Sequence, residues 1–262
     1  MNLFVGPDWN NQIDTLLFFV AAIFSVTAGG ANLFRIPFLH REGGLLSYSK
    51  FAKGAKLGID VPSRLGMFLL YFPAFAYGYY RYNTGHGKRA DLIASMILVH
   101  FLKRCLECLF LHKYSGKMPL ASSAFISFFY TLLAFGCMHV VEKMPQSGFE
   151  EWTEVYGIRL FIVGISGNFY HHWLLATLRK PGEKGYKIPR GGCFEFVAAP
   201  HYFFELIGWY GVTLASQHSL VGLFAIAMSI YLFDRAIGQS EWNRRKIRGY
   251  PKSRKNIIPF LF

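Results

Sequence analysis

The chain has 262 residues, of which 53% are hydrophobic, 18% aromatic and only 16% charged, and its formal net charge is +13. Soluble domains carry roughly 25% charged residues, so this composition leaves too little polar surface for a soluble protein. We therefore expect a membrane protein, whose charge reflects basic cytosolic loops and an acidic ligand rather than nucleic acid binding.

Seven apolar runs approach the length of roughly 20 residues that a membrane span requires. In chain order they cover residues 13–29, 65–80, 92–111, 122–141, 156–178, 194–215 and 220–237. The sixth run is interrupted by Pro200. Because the chain has no internal repeat, low-complexity linker or compositional break, we expect one all-α membrane domain over residues 1–262.

The distribution of Lys and Arg predicts how these spans are oriented. Basic residues concentrate in the first, third and fifth loops, from Arg35 to Arg64 in the first, and in the C-terminal tail. The loops on the other side hold Arg81, Lys88, Arg89 and Lys143. Cytosolic loops are enriched in Lys and Arg, so we expect a lumenal or external N-terminus and a cytosolic C-terminus. The first run lacks the basic start of a secretory signal and is expected to be an uncleaved span.

Polar side chains inside the third run form a candidate site, because ionisable groups at membrane depth usually face a cavity or each other. The residues are His100, Lys103, Arg104 and Glu107, which share one face of a helix. Two interpretations stay open. Lys103 and Glu107 form a local i,i+4 ion pair, or the whole stripe lines a cavity.

The fifth and sixth runs carry further polar residues. Asn168, His171, His172 and Arg179 recur near one side of the fifth. In the sixth, His201, Tyr202 and Glu205 follow Pro200. A proline inside a helix either simply kinks it or frees backbone groups for a ligand, and both readings are open.

Two kinds of chemistry are disfavoured. The nine histidines lack the HxxxH and HxxHH spacings of a membrane di-iron oxygenase, and Cys105 and Cys108 have no second cysteine pair to complete a zinc site. We therefore expect no metal. A Rossmann site is excluded because no GxGxxG follows a strand, so any nucleotide is expected to bind within the helical bundle.

The basic loop 179–192 either contacts anionic lipid or clamps phosphates.

Five motifs in the last third of the chain carry a family resemblance. They are Gly-Asn-Phe-Tyr-His-His at 167–172, Leu-Arg-Lys-Pro-Gly at 178–182, Tyr-Lys-Ile-Pro-Arg-Gly-Gly at 186–192, Pro-His-Tyr-Phe-Phe-Glu at 200–205 and Tyr-Pro-Lys-Ser-Arg-Lys at 250–255. Segment 167–262 thereby resembles the C-terminal domain of the steroid 5α-reductase family, which includes 3-oxo-5α-steroid 4-dehydrogenases, trans-2-enoyl-CoA reductases and polyprenol reductases. Segment 100–116 looks more like the enoyl-CoA reductase and plant-type branches.

The resemblance implies a seven-transmembrane helical bundle of the endoplasmic reticulum that encloses a nucleotide and lipid cavity and takes NADPH from the cytosol. Carried over by position, the implied cofactor-binding residues are Asn168, His172, Arg179, Tyr186, Lys187, His201, Glu205, Arg235 and Asn243, with Arg104 reaching in from the third span. His172 stands where steroid reductases usually carry Asp, and Gln239 and Asn243 stand where His and Tyr are common. For the 2′-phosphate, Arg179 ranks first, before Lys187, Arg235 and the pair Arg254 and Lys255.

The substrate end departs further from the steroid branch. The resemblance implies a Gln-Glu pair before the proline of the second span and a Tyr in the third. Here Leu70 and Tyr71 take the place of that pair, and Phe101 replaces the Tyr. In the enoyl-CoA branch the implied pair is a Lys and a Tyr, which Lys103 and Tyr202 match. We therefore hypothesise that Tyr202 donates to the substrate with help from Lys103, with Tyr71 as the alternative donor.

The leading prediction is an NADPH-dependent reductase of the conjugated C=C bond of a hydrophobic α,β-unsaturated carbonyl lipid, of the 3-oxo-Δ4-steroid 5α-reductase kind. The alternatives are a trans-2-enoyl-CoA reductase of fatty-acid elongation and a non-catalytic lipid- or cofactor-binding membrane protein. The expected partners are a hydrophobic small-molecule substrate and membrane lipid. The sequence leaves the oligomeric state open.

Overall fold

Seven α-helices account for most of the residues that the computed structural model describes, which are 4–33, 58–85, 87–145, 150–180, 183 and 185–261. The helices are α1 (Gln12–Leu33), α2 (Ser63–Thr84), α3 (Lys88–Leu106), α4 (Leu120–Lys143), α5 (Glu151–Thr177), α6 (Pro200–Ser216) and α7 (Ser219–Lys246). A π-helical turn, Glu107–Leu111, extends α3, and a 3-10 turn, Gly192–Glu195, precedes α6. The basic residues of the first loop from Arg35 to Lys56, and the Pro-Gly turn at 181–182, lie outside the described residues.

Each of the seven apolar runs overlaps one of these helices, so the all-helical fold class is confirmed. By length and apolar composition, α4 and α7 are the two helices of the described ranges that pass the test for a membrane span. The other helices either carry more polar residues or have a shorter apolar stretch, such as the 12–27 part of α1. The polar side chains that mark the candidate site in the third and fifth runs also lower the hydropathy of α3 and α5.

Pro200 begins α6, so it does not kink a helix, whereas the predicted break of the sixth run at this residue is present. The chain from 192 to 199 forms the 3-10 turn and an extended stretch, and the helix starts with Pro200 in its first turn. Proline is favoured there because its fixed φ suits a helix and its missing N–H would have had no helical partner. Pro73, by contrast, lies inside α2.

Glycines let α5 and α6 approach each other until their backbones touch. A Cβ atom built on Gly164 would lie 2.3 Å from the backbone nitrogen of Gly208, and one on Gly157 would lie 2.6 Å from that of Ala215. On Gly167 it would meet the ring of Phe204 at 2.2 Å. The sequence places a glycine at each contact, and this close packing sets the ends of α5 and α6 side by side.

A short sheet fixes the beginning of α2 next to the beginning of α4. Strand β1 (Asp60–Pro62) pairs antiparallel with β2 (Lys117–Pro119), with Asp60 opposite Pro119. Both strands lead directly into helices, because α2 starts at Ser63 and α4 at Leu120. The pairing therefore sets the position of the first turns of α2, including Met67 and Tyr71.

The C-terminal segment after α7 folds back onto the loop before α6. Val197 and Lys255 form a parallel bridge, and Arg254, only 1% exposed, donates from Nη1 to the carbonyl of Pro189 at 2.7 Å. Its other terminal nitrogen lies 3.4 Å from Glu195 Oε2. Arg254 therefore holds the C-terminal segment in place and does not line the cavity described below.

Replacing Arg254 should loosen this segment. Arg254→Met removes the buried donors and leaves the Pro189 carbonyl without them, at a cost on the order of 2 kcal/mol. We expect a lower thermal unfolding midpoint in detergent and faster chymotrypsin cleavage near the C-terminus. Arg248→Met is the matched control, since Arg248 lies exposed in the same segment. Equal midpoints for the two variants would contradict the role given to Arg254.

Candidate functional site

A cavity of about 300 Å³ lies where one end of α2, α3, α5, α6 and α7 comes together. The first turns of α2 and α6 and the last turns of α3, α5 and α7 contribute to it, together with the loops that follow α3 and precede α6. Its lining combines apolar, aromatic and cationic side chains from Met67, Tyr71, Arg104, His112, Lys113, Tyr114, His172, Leu175, Ala176, Arg179, Pro189, Ala198, His201, Tyr202, Arg235 and Gln239. The loops that are basic in the sequence connect to the helices at this same end.

The polar stripe of α3 folds around one buried carboxylate. Glu107, with 2% of its side chain exposed, has Oε1 2.8 Å from Lys103 Nζ and Oε2 2.7 Å from Arg104 Nη1. The ion-pair interpretation of the stripe is therefore confirmed, whereas the interpretation in which the whole stripe lines a cavity is wrong, since only Arg104 of its four residues lines this one. The i,i+4 ion pair forms, and Arg104 at the same time reaches the cavity. His100 turns away and lies 3.3 Å from Glu205 of α6.

Helix α5 completes the network with His172 and Asn168. His172 Nδ1 lies 3.0 Å from Glu107 Oε2 and 3.0 Å from Arg104 Nη1. Asn168 accepts from Lys103 Nζ at 2.5 Å and donates to the carbonyl of His201 at 2.8 Å. Polar contacts thus join helices α3, α5 and α6 beside the cavity. The sequence of each helix predicts which of its own residues share a face, but not which residues of another helix they meet.

Tyr71 of α2 meets Arg104 from the opposite side. Arg104 Nη2 donates to the Tyr71 hydroxyl oxygen at 2.5 Å, and the guanidinium carbon lies 4.6 Å from the centre of the same ring. The Tyr71 ring also stacks on Tyr130 of α4, with centroids 5.4 Å apart. Arginine has no acceptor, so the Tyr71 hydroxyl hydrogen points away from the guanidinium.

The loop after α3 brings three residues into the cavity that sequence reasoning did not assign to the site: His112, Lys113 and Tyr114. Burial lowers the pKa of His112 to about 4, so its ring is neutral at physiological pH. Burial also raises the pKa of Tyr114, whose hydroxyl lies 3.3 Å from Cys108 Sγ. Lys113 donates to the carbonyl of Arg179 at 3.1 Å. The family-like pattern of segment 100–116, which includes these three residues, is the feature of the sequence that could have placed them at the site.

The residues predicted from sequence divide into two groups. Those that line the cavity are Tyr71, Arg104, His172, Arg179, His201, Tyr202 and Arg235. Those outside its lining are Lys103, Asn168, Tyr186, Lys187, Glu205 and Asn243. Lys103, Asn168 and Glu205 join the buried polar contacts behind the wall, as described above.

The remaining three, Tyr186, Lys187 and Asn243, belong neither to the cavity lining nor to these buried contacts. Lys187 forms an exposed ion pair with Glu183, 2.5 Å away, and the exposed ring of Tyr186 packs edge-on against Trp242. Asn243 accepts a hydrogen bond from Gln239 at 2.7 Å. Of these two residues, both of which depart from the family pattern, only Gln239 lines the cavity.

Glu107, His112 and His172 also bring three potential metal-ligand atoms within 4.8 Å of one another. Arg104 Nη1, however, lies 2.7 Å from Glu107 Oε2 and 3.0 Å from His172 Nδ1. A dication at this point would be repelled by a guanidinium in direct contact with the same ligands. The arrangement is therefore an ion-pair network, in which Arg104 supplies the positive charge.

A second, smaller cavity of about 40 Å³ lies between α1, α4 and α7. Its lining is apolar and aromatic throughout, and includes Phe24, Phe129, Tyr130 and Tyr231. Tyr130 lines this apolar cavity, and Tyr71, stacked upon it, lines the polar one. The Tyr71–Tyr130 stack therefore forms the wall between a cationic and an apolar compartment. Phe101 supports it from behind, 5.7 Å from the Tyr130 ring centre.

Comparison with known proteins finds matches over most of the chain. Residues 116–262 match the family model described as 3-oxo-5-alpha-steroid 4-dehydrogenase. The chain is 35% identical over 213 residues to 3-oxo-5-alpha-steroid 4-dehydrogenase 1 of Homo sapiens, covering 78% of this chain and 82% of that protein. It is 28% identical over 224 residues to 3-oxo-5-alpha-steroid 4-dehydrogenase 2 of Rattus norvegicus, covering 82% and 88%.

Proposed function

The chain belongs to the 3-oxo-5-alpha-steroid 4-dehydrogenase family, and on that premise we propose that it is a membrane-embedded, NADPH-dependent reductase of the conjugated C=C bond of a hydrophobic α,β-unsaturated carbonyl lipid. The leading substrate class is a 3-oxo-Δ4 steroid. The observation that carries the proposal is the pair of compartments, one cationic and one apolar, separated by Tyr71 and Tyr130.

The polar cavity fits a phosphorylated dinucleotide by its charge. Arg104, Lys113, Arg179 and Arg235 line it, and phosphate groups are recognised in proteins by Arg and Lys. His201, which also lines the cavity, has a buried Nδ1 atom with no hydrogen-bond partner among the described residues. The apolar cavity, which Tyr130 lines, offers a complementary surface for only part of a lipid, because its volume is about 40 Å³.

Bound in this cavity by its cationic side chains, NADPH would supply the hydride for the β carbon of the conjugated carbonyl, and solvent would supply the proton for the α carbon. The protein must hold the substrate and stabilise the negative charge that develops on the carbonyl oxygen. Tyr71 suits this role because its oxygen accepts from Arg104 at 2.5 Å while its own hydrogen points away from the guanidinium. The guanidinium of Arg104 stabilises the negative charge that the Tyr71 oxygen gains when its hydrogen is shared with the substrate carbonyl. The geometry therefore favours Tyr71 as hydrogen-bond donor to the substrate.

Tyr202 remains the second candidate donor, as the enoyl-CoA branch resemblance implies. It lines the same cavity, with its ring centre 4.2 Å from that of His201. Lys103, its proposed assistant, is engaged with Glu107 and Asn168 and does not line the cavity. Lys103 therefore suits a positioning role, and a trans-2-enoyl-CoA is the second substrate class to test.

We also propose the membrane arrangement that these roles require. All seven helices would cross the membrane, with the polar cavity at the cytosolic side, where NADPH is available, and the N-terminus in the lumen of the endoplasmic reticulum. The basic residues near the cavity end of the helices support this orientation. A cysteine-accessibility experiment with one cysteine in the N-terminal segment and another in the C-terminal tail tests it.

NADPH consumption by purified protein in detergent tests the function. A 3-oxo-Δ4 steroid and a trans-2-enoyl-CoA are supplied in parallel, and we expect turnover of the steroid. Turnover of the enoyl-CoA alone would select the second class. NADPH binding without turnover of either substrate would instead support a non-catalytic cofactor-binding protein.

Arg179 is the residue we expect to contribute most to cofactor affinity. It lines the cavity at the end of α5, and its backbone carbonyl accepts from Lys113. Removing a charge-assisted hydrogen bond costs on the order of 1.5–3 kcal/mol, so Arg179→Ala should raise the KM for NADPH at least about tenfold.

Steady-state kinetics with NADPH and NADH checks this assignment. Lys187→Ala is the matched control, because Lys187 pairs with Glu183 outside the cavity lining and should change KM little. Adding Lys113→Ala to Arg179→Ala should lower affinity further. An unchanged NADPH KM in Arg179→Ala, or equal use of NADH by the parent, would contradict the assignment.

A further inference from the structure

We propose that Glu107 is a positioning residue that holds Arg104 against Tyr71, and that this buried carboxylate can be moved to position 172 on α5 with recovery of function. The inference rests on the proposed function, in which Tyr71 binds the substrate carbonyl. Glu107 does not line the cavity, and the sequence predicted for it a place in the polar stripe and an ion pair with Lys103, but no role towards Arg104 or Tyr71.

The first step concerns the orientation of Arg104. Its two terminal nitrogens have separate partners: Nη1 contacts Glu107 Oε2 and His172 Nδ1, whereas Nη2 contacts the Tyr71 hydroxyl. A guanidinium is planar and rigid, so fixing Nη1 also fixes the direction of Nη2. The carboxylate on α3 therefore determines where Arg104 meets a residue on α2.

The second step concerns charge. Glu107 is 2% exposed and serves two cations, Lys103 through Oε1 and Arg104 through Oε2. A glutamine at this position has one acceptor oxygen and can satisfy only one of them. Its amide nitrogen would face the other cation, so the guanidinium would lose its fixed orientation even if the helix is unchanged.

The third step identifies where a replacement carboxylate fits. His172 Nδ1 lies 3.0 Å from Arg104 Nη1, and an aspartate oxygen stands about as far from its Cβ as a histidine Nδ1 does. An aspartate at 172 would thus meet the same guanidinium nitrogen from α5. With Glu107 still present, the two carboxylates would lie about as close as Nδ1 and Oε2 do now, at 3.0 Å, and would repel each other.

The test is a two-site exchange measured by both kinetics and thermal unfolding. Glu107→Gln should lower kcat about a hundredfold, because misplacing a catalytic group by 1 Å has that effect, and should raise the KM for NADPH by less than Arg179→Ala does, because Lys113, Arg179 and Arg235 keep their places in the cavity. His172→Asp should lower both kcat and Tm. The double variant should recover Tm and bring kcat within about tenfold of the parent, since contacting residues are not additive.

Glu151→Gln is the control, because Glu151 is an exposed carboxylate at the opposite end of α5. A double variant no better than the single variants, or an unchanged kcat in Glu107→Gln, would overturn the proposal. If Glu107→Gln does not fold, Glu107→Asp is the second variant. It keeps the negative charge but moves the carboxylate away from Arg104 by one methylene, so kcat should still fall. An unchanged kcat in Glu107→Asp would also overturn the proposal. If the parent turns over no enone, the proposed function fails by itself, and recovery or non-recovery of Tm in the double variant still decides the carboxylate exchange.

Discussion

Tyr71→Phe is expected to lower kcat at least about a hundredfold, within the range of 10²–10⁴ that a positioned proton donor contributes. Phenylalanine keeps the ring that stacks on Tyr130 but removes the oxygen that accepts from Arg104 at 2.5 Å. The carbonyl oxygen of the substrate then loses the donor proposed for it. The measurement is single-turnover NADPH oxidation with a saturating 3-oxo-Δ4 steroid, together with NADPH binding by fluorescence, which should change little.

Two matched variants separate this role from simple packing. Tyr130→Phe removes a hydroxyl from the other ring of the same stack, and Tyr202→Phe removes the second candidate donor. Both should retain kcat within about tenfold if Tyr71 is the donor. A large loss in Tyr202→Phe with near-normal turnover in Tyr71→Phe would exchange the two roles and favour the enoyl-CoA branch mechanism.

Gly164→Ala is expected to destabilise the protein by about 3 kcal/mol or more, because the new methyl group overpacks a helix contact. The added Cβ would lie 2.3 Å from the backbone nitrogen and 2.5 Å from the Cα of Gly208. Backbone atoms cannot move aside as a flexible side chain can, so α5 and α6 must separate. The thermal unfolding midpoint and the monodisperse fraction in size-exclusion chromatography should both fall.

The partner glycine offers a control at the same crossing. A Cβ on Gly208 would meet its nearest neighbour, the Cα of Gly164, at 3.9 Å, which is ordinary contact. Alanine is also the better helix former, by roughly 0.5–1 kcal/mol, so Gly208→Ala should be neutral or slightly stabilising. Equal loss of stability in both variants would contradict this account of the α5–α6 contact.

Several features of the site were predictable because they depend on local sequence. Helical spacing placed Lys103, Arg104 and Glu107 on one face, and the i,i+4 pair of Lys103 with Glu107 forms as that spacing predicts. The basic loops identified the end of the bundle at which Arg179 and Arg235 line a cavity. Each of these predictions needs only the geometry of one helix and the cost of placing charge in an apolar environment.

Other assignments failed to reach the cavity because position within a motif does not determine which way a side chain faces. Lys187 and Tyr186 belong to a family-like motif, yet Lys187 pairs with Glu183 and Tyr186 packs on Trp242. Arg254, a phosphate candidate by charge, is buried against Pro189 and Glu195. Conversely, His112 and Tyr114 enter the cavity because the loop after α3 turns back over it.

The sequence by itself determined the helical class, the number and order of the helices in the described part of the chain, and the family, because apolar length, helical periodicity and motif order depend only on the order of residues along the chain. Only the tertiary structure decided that Tyr71 of α2, Arg104 and Glu107 of α3 and its extension, and His172 of α5 meet at one point. Residues 71 and 172 are 101 positions apart. Their contact with one guanidinium depends on how α2, α3 and α5 pack against one another and on the β1–β2 pairing that positions α2, and no local pattern encodes such a meeting.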